Sequence, residues 1–374
     1  MGNTLLAAAE PVINIPMMKR VVSEFVIKRR KVCMFRGTFG VGKTVAIRQA
    51  CKEAGAHLVE IRLGQYDSVD LRGMPDIDKK NKTTVWYPPS TLPLKGTPGW
   101  PTDRIIVVFY DEITSASPPV FAVFYQAMQD FAIGEHEFMD NVVFCCAGNN
   151  DSDRGVVNRI PMPLNNRMLH FQIGLDVPAW ARWAFGAGVS QRVIAYHLWK
   201  QKDPAGPALS RWNPDDPDPA PTQASPRSWE AAADIYRDYQ SVDPDFAFIG
   251  MAGCVGEPLA TDFLAFDKVY SKVLTEEQIV KNPRGVPLPD EESLIYATAV
   301  SVAGAMRLDN VKSLHMFLTR LNPEYTVMAW QLALAKKDAK GNPIGEALYT
   351  ADEFLDLGDR YKAIFDPVAS RKAA

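Results

Sequence analysis

A glycine-rich segment between an apolar run and a helix-forming stretch limits what this chain can fold into. Residues 32–50 read VCMFRGTFGVGKTVAIRQA and match the pattern GxxxxGK[ST]. Its glycines let the backbone turn N–H groups inward, and the following helix start adds positive potential, so the loop is suited to hold phosphates. The lysine adds a point charge beside the β and γ phosphates, and the threonine hydroxyl can ligate Mg²⁺. We therefore predict a nucleotide phosphate-binding loop formed by Gly37, Thr38, Phe39, Gly40, Val41, Gly42, Lys43, Thr44 and Val45.

An acidic pair follows another apolar run. Residues 105–110 read IIVVFY and lead into Asp111 and Glu112. A carboxylate at the carboxyl end of a strand beside a phosphate loop can hold Mg²⁺, so Asp111 joins Thr44 as a predicted metal ligand. A second carboxylate in a different environment can act as general base on water, which predicts Glu112 as catalytic. By itself the pair would be better explained as a solvated turn. Its occurrence together with the phosphate loop favours a metal and catalytic site instead.

Short β-branched and apolar runs alternate with helical stretches over the first half of the chain. This pattern predicts an α/β fold with a buried parallel sheet flanked by helices. Two segments later in the chain interrupt the helical pattern. The first, over 201–226, is rich in proline and aspartate, and the second, over 282–289, also contains prolines. We predict a nucleotide-binding α/β core over 1–175, a helical lid over 176–272 that contains the 201–226 loop, and a helical C-terminal extension over 273–374.

Composition narrows the class of protein. Of 374 residues, 41 are Lys or Arg and 44 are Asp or Glu, and this balance of −3 makes nucleic acid an unlikely general partner. No apolar stretch reaches the roughly 18 residues of a membrane span. The five cysteines are odd in number and fit no zinc-ligand spacing, which indicates free thiols in a reducing compartment. These features predict a cytoplasmic protein without membrane segments.

The two motifs and four further segments resemble the AAA+ ATPases, and within them the MoxR-type branch. The resemblance runs from about residue 13 to about residue 240. The four segments are DSVDLRGMP at 67–75, FCCAGNN at 144–150, PMPLNNRMLHF at 161–171 and SPRSWE at 225–230. It implies a P-loop NTPase sheet with a helical lid, and two inserted hairpins, within 76–88 and 131–140, that typically face a central pore.

The resemblance also implies roles for further residues. Asn149 matches the first sensor, which orients the attacking water, although Asn150 stands where the family more often has proline and is an alternative. Arg167 matches the arginine finger supplied by a neighbouring subunit, and Arg154 and Arg159 are nearby alternatives. Arg227 matches the second sensor, which reaches the γ-phosphate from the lid. Without the resemblance, Arg227 is an exposed residue in the first turn of a helix that begins at SPRSWE.

The function implied is ATP and Mg²⁺ binding, with ATP hydrolysis coupled to remodelling of a protein client by a homo-oligomeric, hexameric ring. Members of this branch commonly work as chaperones with a von Willebrand factor A-type partner. A DNA-acting motor or loader is the alternative, for which basic hairpins would argue. The first predicted hairpin is basic and the second is acidic, and the residues concerned are Lys79, Lys80 and Lys82, then Glu135, Glu137 and Asp140. A third possibility is a nucleotide-gated scaffold with little turnover, against which the complete hydrolytic set argues.

Overall fold

The computed structural model describes residues 10–150, 153, 158–213, 215–216 and 218–365 of the chain. By its internal contacts the chain divides into two compact units, Met1–Leu175 and Asp176–Ala374. The first unit is α/β and the second is helical. The predicted lid and the predicted C-terminal extension thus fall in one unit.

The first unit is built around a six-stranded sheet whose strands are β1 (Val12–Ile13), β2 (Cys33–Arg36), β3 (His57–Arg62), β6 (Ile106–Asp111), β9 (Val142–Gly148) and β10 (Leu169–Ile173). The strands lie in the order β1-β10-β2-β9-β6-β3, and all paired strands are parallel. This confirms the predicted parallel sheet. Its helices are α1 (Ile15–Val21), α2 (Lys43–Glu53), α3 (Ser68–Arg72), α4 (Pro118–Asp130) and α5 (Met162–Asn165). A π-helical stretch, Val22–Lys28, continues α1.

Both faces of this sheet are covered, which explains why its central strands read as continuous apolar runs. Every residue of β6 and β9 is buried. Because successive side chains point to opposite faces, neighbours such as Cys145 and Cys146 belong to different cores. One core contains residues of α4, and the other contains residues of α1 and α2. The strands have no solvent-facing side that would require polar alternation.

Two short antiparallel hairpins lie outside the main sheet. The first hairpin pairs β4 (Met74–Asp78) with β5 (Thr83–Tyr87), and the second hairpin pairs β7 (Ala132–Ile133) with β8 (His136–Glu137). The first hairpin begins two residues before the predicted segment 76–88 and otherwise lies within it, and the second hairpin lies within the predicted segment 131–140. Gly73, just before β4, has a φ of +87°, and a Cβ there would lie 1.9 Å from the carbonyl oxygen of Tyr87. Only glycine allows the first hairpin to close at this point.

In its described residues the second unit is helical apart from loops, short 3₁₀ segments and an isolated bridge between Lys337 and Pro343. Its centre is aromatic, with Trp229 and Phe263 fully buried around Tyr196. The 201–226 segment is anchored there, since the indole N–H of Trp229 donates to the carbonyl oxygen of Ala208 at 2.9 Å. The helices are α6 (Val177–Gly186), α7 (Gln191–Trp199), α8 (Pro226–Tyr239), α9 (Pro244–Val255), α10 (Glu257–Tyr270), α11 (Glu276–Lys281), α12 (Glu292–Ala305), α13 (Val311–Leu318), α14 (Pro323–Leu334) and α15 (Asp352–Phe365).

The cysteines are free thiols, as predicted, and four of them are buried. Burial raises the pKa of Cys33 and of Cys51 to about 12, which keeps both protonated at neutral pH. In the part of the chain that the structure describes, no helix combines the length and the apolar character needed to cross a bilayer.

Candidate functional site

The predicted phosphate loop connects the carboxyl end of β2 to the first residue of α2. A Cβ at Gly37 would lie 2.9 Å from the Cβ of Ile173, so the loop runs against β10 at a distance that excludes a side chain. Gly42 has a φ of +103° and caps α2, which begins at Lys43. A left-handed residue is needed there to turn the loop into the helix, and glycine adopts it without strain. The N-terminus of α2 therefore opens onto the loop, where an anion is favoured.

The ammonium group of Lys43 lies inside this loop. Its side chain is only 7% exposed. The Nζ atom donates to the carbonyl oxygens of Gly37 at 2.5 Å and Thr38 at 3.1 Å, and to Oδ1 of Asn149 at 3.2 Å. A buried cation is costly unless several oxygens surround it. The loop thus holds a positive charge where the pattern predicts a phosphate contact.

Thr44 and Asp111 meet beside the loop although they are far apart in sequence. The hydroxyl of Thr44 donates to Oδ2 of Asp111 at 2.6 Å, and Asp111 is 7% exposed at the end of β6. A hydroxyl and a carboxylate oxygen are hard donors, which fit Mg²⁺. Among the described residues, no group of three or more His, Cys, Asp or Glu side chains could hold a metal ion. A magnesium ion would therefore take two protein oxygens here and the remainder from phosphate and water, as is usual for this ion.

Glu112 differs from its neighbour in exposure and in backbone conformation. It has a φ of +54°, which is unfavourable for a residue with a side chain, and it lies before a 3₁₀ turn at Ile113–Ser115. Its own N–H donates to Oδ1 of Asp111 at 2.9 Å. Asp111 is buried and hydrogen-bonded, whereas Glu112 is exposed. The adjacent carboxylates thus have the different environments that separate metal-ligand and base roles require.

The two asparagines after β9 make different contacts. Asn149 accepts from Lys43, whereas the amide of Asn150 lies 3.5 Å from the hydroxyl oxygen of Thr38. Gln172 on β10 donates its Nε2 to Oδ1 of Asn150 at 3.0 Å and thereby orients that amide. Asn149 thus contacts the loop lysine and Asn150 contacts a loop hydroxyl, and the role of Asn149 as first sensor stays a prediction. Gln172 was not predicted, because no sequence pattern indicates it and only the strand order β10-β2-β9 brings it near Asn150.

The predicted arginine finger lies on the surface of the first unit. Arg167 follows α5 and is exposed. Its guanidinium donates to the carbonyl oxygen of Pro163 at 2.7 Å and to Oε1 of Gln129 at 3.2 Å, and it lies over the ring of Tyr125. All three contacts are with residues of α4 and α5. The role of Arg167 as a finger toward another copy of the chain stays a prediction. Arg159 is also exposed, and Arg154 lies outside the described residues.

Arg227 belongs to the second unit. It is exposed in the first turn of α8, which begins at Pro226 after the capping residue Ser225. Glu230 lies one turn further; its burial raises the pKa of that carboxyl, and the charge of Arg227 opposes the increase. The predicted helix start is confirmed. The role of Arg227 as second sensor stays a prediction.

The fold and these contacts define an α/β protein with a P-loop, a strand-end carboxylate paired to the loop threonine, and an asparagine just after the intervening strand that contacts the loop lysine. No protein-family profile matches the chain, and no curated protein sequence matches it either.

Solved structures with a related chain path exist. NtrX from Brucella abortus in complex with ADP is 14% identical over 92% of this chain and 67% of its own, with a TM-score of 0.38. A point mutant of RuvB from Thermotoga maritima is 12% identical over 82% and 86% of the two chains, with a TM-score of 0.38. RuvB from the same organism, described as a Holliday junction branch migration motor, is 13% identical over 82% and 86%, with a TM-score of 0.33.

Proposed function

We propose that this protein is an AAA+ ATPase that binds ATP with Mg²⁺ and hydrolyses it to ADP and phosphate. The observation that carries the proposal is the 2.6 Å contact between Thr44 and Asp111, next to the buried ammonium of Lys43. One loop thereby offers a cation for phosphate oxygens and a pair of oxygen ligands for the metal. A glycine-rich turn that served only the fold would need neither group.

Each site residue has a separate role in the proposed reaction. Lys43 and the N–H groups of the loop bind the phosphates, and Thr44 and Asp111 hold Mg²⁺, which supplies neutralising charge. Glu112 accepts the proton of the water that attacks in line, and Asn149 orients that water. Arg167 of a neighbouring copy and Arg227 complete the positive charge around the transferred phosphoryl group.

An arginine supplied by a neighbour requires an oligomer, and we propose a hexameric ring of the MoxR type in the cytoplasm. The exposure of Arg167 supports this proposal, because a finger acting in trans must be accessible on the surface. The client of the motor is a protein, with a von Willebrand factor A-type protein as the proposed companion. Hydrolysis in each subunit then depends on its neighbour, which couples the nucleotide states around the ring.

A DNA-acting motor is the second candidate. One observation favours it: Lys79, Lys80 and Lys82 are exposed on the turn of the first hairpin. The second hairpin opposes it, since Glu135, Glu137 and Asp140 are acidic and exposed. Turnover measured with and without single-stranded and duplex DNA separates the candidates, because a DNA motor is stimulated by its track.

The decisive experiment measures ATP turnover per subunit while protein concentration is raised, with sizing at each concentration. A rate that rises and saturates as rings assemble supports a site completed between subunits. An appreciable rate in particles that remain monomeric would refute the ring. A rate no higher than that of Lys43→Ala, in fully assembled rings, would refute hydrolysis and favour the scaffold.

A further inference from the structure

A cleft opens between the two hairpins, on the first unit and apart from the nucleotide site. It has a volume of about 350 Å³ and is lined by Arg72, Trp86, Gly134, Glu135 and His136. Trp86 lies on β5 of the first hairpin, while Glu135 and His136 come from the second. The volume is at the lower end of the range for small-ligand pockets, so it suits one or two amino-acid side chains rather than a large cofactor.

The tryptophan wall of this cleft is fixed from the opposite hairpin. The main-chain N–H of Trp86 donates to Oε1 of Glu135 at 3.2 Å, and Nε2 of His136 donates to the main-chain carbonyl oxygen of Trp86 at 3.0 Å. Two side chains thus occupy the main-chain N–H and C=O of Trp86, which β5 would otherwise offer to an added strand at this position. Recognition at the cleft therefore depends on side chains, and the indole of Trp86 supplies its apolar surface.

Arg72 supplies a charge that the protein itself does not use. Its side chain is exposed at the end of α3, and no described residue forms a hydrogen bond or an ion pair with its guanidinium. Lys95 behaves differently, since Glu137 and Asp140 both pair with it. An unpaired guanidinium at the wall of a cleft is a donor fork for a carboxylate, which it binds through two parallel hydrogen bonds.

We propose that this cleft binds an acidic side chain of an extended protein segment, which pairs with Arg72 and packs on the indole of Trp86. The proposal deepens the proposed function, on which it rests for a protein client, by naming the chemistry of that client. Exposed Ile77, which shares a face of the first hairpin with Trp86, suits a segment that carries apolar residues between its acidic ones. A nucleic-acid backbone fits less well, because it carries a charge on every nucleotide and would bring phosphates to Glu135 and Glu137 as well as to Arg72, whereas a protein segment can place neutral residues beside the second hairpin.

Binding is tested on the full chain by fluorescence anisotropy, with a labelled peptide of four Gly-Glu-Leu repeats and its Gly-Gln-Leu counterpart. The acidic peptide binds more tightly, and Arg72→Ala weakens it roughly tenfold, as expected for one charged hydrogen-bond pair. Arg29→Ala, which removes an exposed arginine elsewhere on the same unit, leaves the affinity unchanged. Glu135→Gln keeps an oxygen for the N–H of Trp86 but removes a repelling charge, so the affinity for the acidic peptide rises.

Three results would overturn the proposal: equal binding of the two peptides, equal losses from Arg72→Ala and Arg29→Ala, or tight binding of an oligothymidine that Arg72→Ala abolishes while neither peptide binds. Basal ATP turnover is measured separately, and Arg72→Ala leaves it unchanged because Arg72 makes no contact with the nucleotide site. Peptide binding without any turnover would refute the proposed ATPase and leave the cleft standing. Turnover without selective peptide binding would refute the cleft proposal and leave the proposed ATPase standing.

Discussion

Replacing Lys43 by alanine tests the phosphate loop most directly. In the folded chain this ammonium is held by three oxygens at 2.5 to 3.2 Å and is almost completely buried. The variant removes a cation positioned for phosphate and leaves those oxygens facing the same space, which adds repulsion toward an anion. A hydrogen bond to a charged group contributes about 1.5 to 3 kcal/mol. Nucleotide affinity should therefore fall roughly ten- to a hundredfold.

The affinity is measured by isothermal titration with ADP and Mg²⁺. Lys52→Ala is the matched control, because Lys52 is an exposed lysine in the last turn of the same helix, α2. Alanine is a strong helix former, so both variants should fold, and circular dichroism verifies this. If Lys43→Ala binds ADP as tightly as Lys52→Ala does, the assignment of the loop to phosphate binding is wrong.

Four further predictions concern catalysis and stability. Glu112→Gln should keep ATP affinity and lose about 10²- to 10⁴-fold in turnover, and near-normal turnover would place the general base elsewhere. Arg167→Ala should be inactive alone and regain activity when mixed with Lys43→Ala subunits; no recovery would argue against a finger in trans. Gln172→Ala should remove the hydrogen bond that orients the side-chain amide of Asn150 and should lower kcat by roughly fivefold. An effect on KM alone would exclude a positioning role in the chemical step. Burial lowers the pKa of His197 from its ordinary 6.5 to about 3. The unfolded chain therefore binds a proton that the folded chain does not, and stability present above pH 6.5 is lost as the pH falls toward 3. The free energy of unfolding of the second unit, measured in urea, should fall by about 1 kcal/mol more between pH 6.5 and 5.5 than that of His197→Phe, because the unfolded histidine is already half protonated at pH 6.5. Parallel pH profiles would contradict this.

The environment of His197 shows what pattern alone could not reveal. Its ring lies between Trp180 and Trp229 and is 1% exposed, and among the described residues neither ring nitrogen has a hydrogen-bond partner. In sequence it is one of five scattered histidines without metal spacing. Its altered pKa follows from helices that pack around it, and helix packing has no local sequence signature.

The hairpins illustrate an intermediate case. Their positions follow from the resemblance and from the turn at Gly134, which has a φ of +60°. The sequence does not indicate that Trp86 is fixed between Glu135 and His136, or that Arg72 is left unpaired beside it. Those facts depend on long-range contacts between separate segments.

Local patterns determined the parallel sheet, the phosphate loop and the acidic pair, because each depends on residues that are neighbours in the chain. Continuous apolar runs require a sheet covered on both faces, and glycine is required where the backbone turns into α2. Tertiary structure alone decided that β9 lies between β2 and β6. That strand order brings Asn149 to Lys43, and Asp111 to Thr44, at hydrogen-bond distance. It also decided that Gln172 supports Asn150, since β2 pairs with β10 on one side and with β9 on the other and so brings the carboxyl ends of β10 and β9 close together.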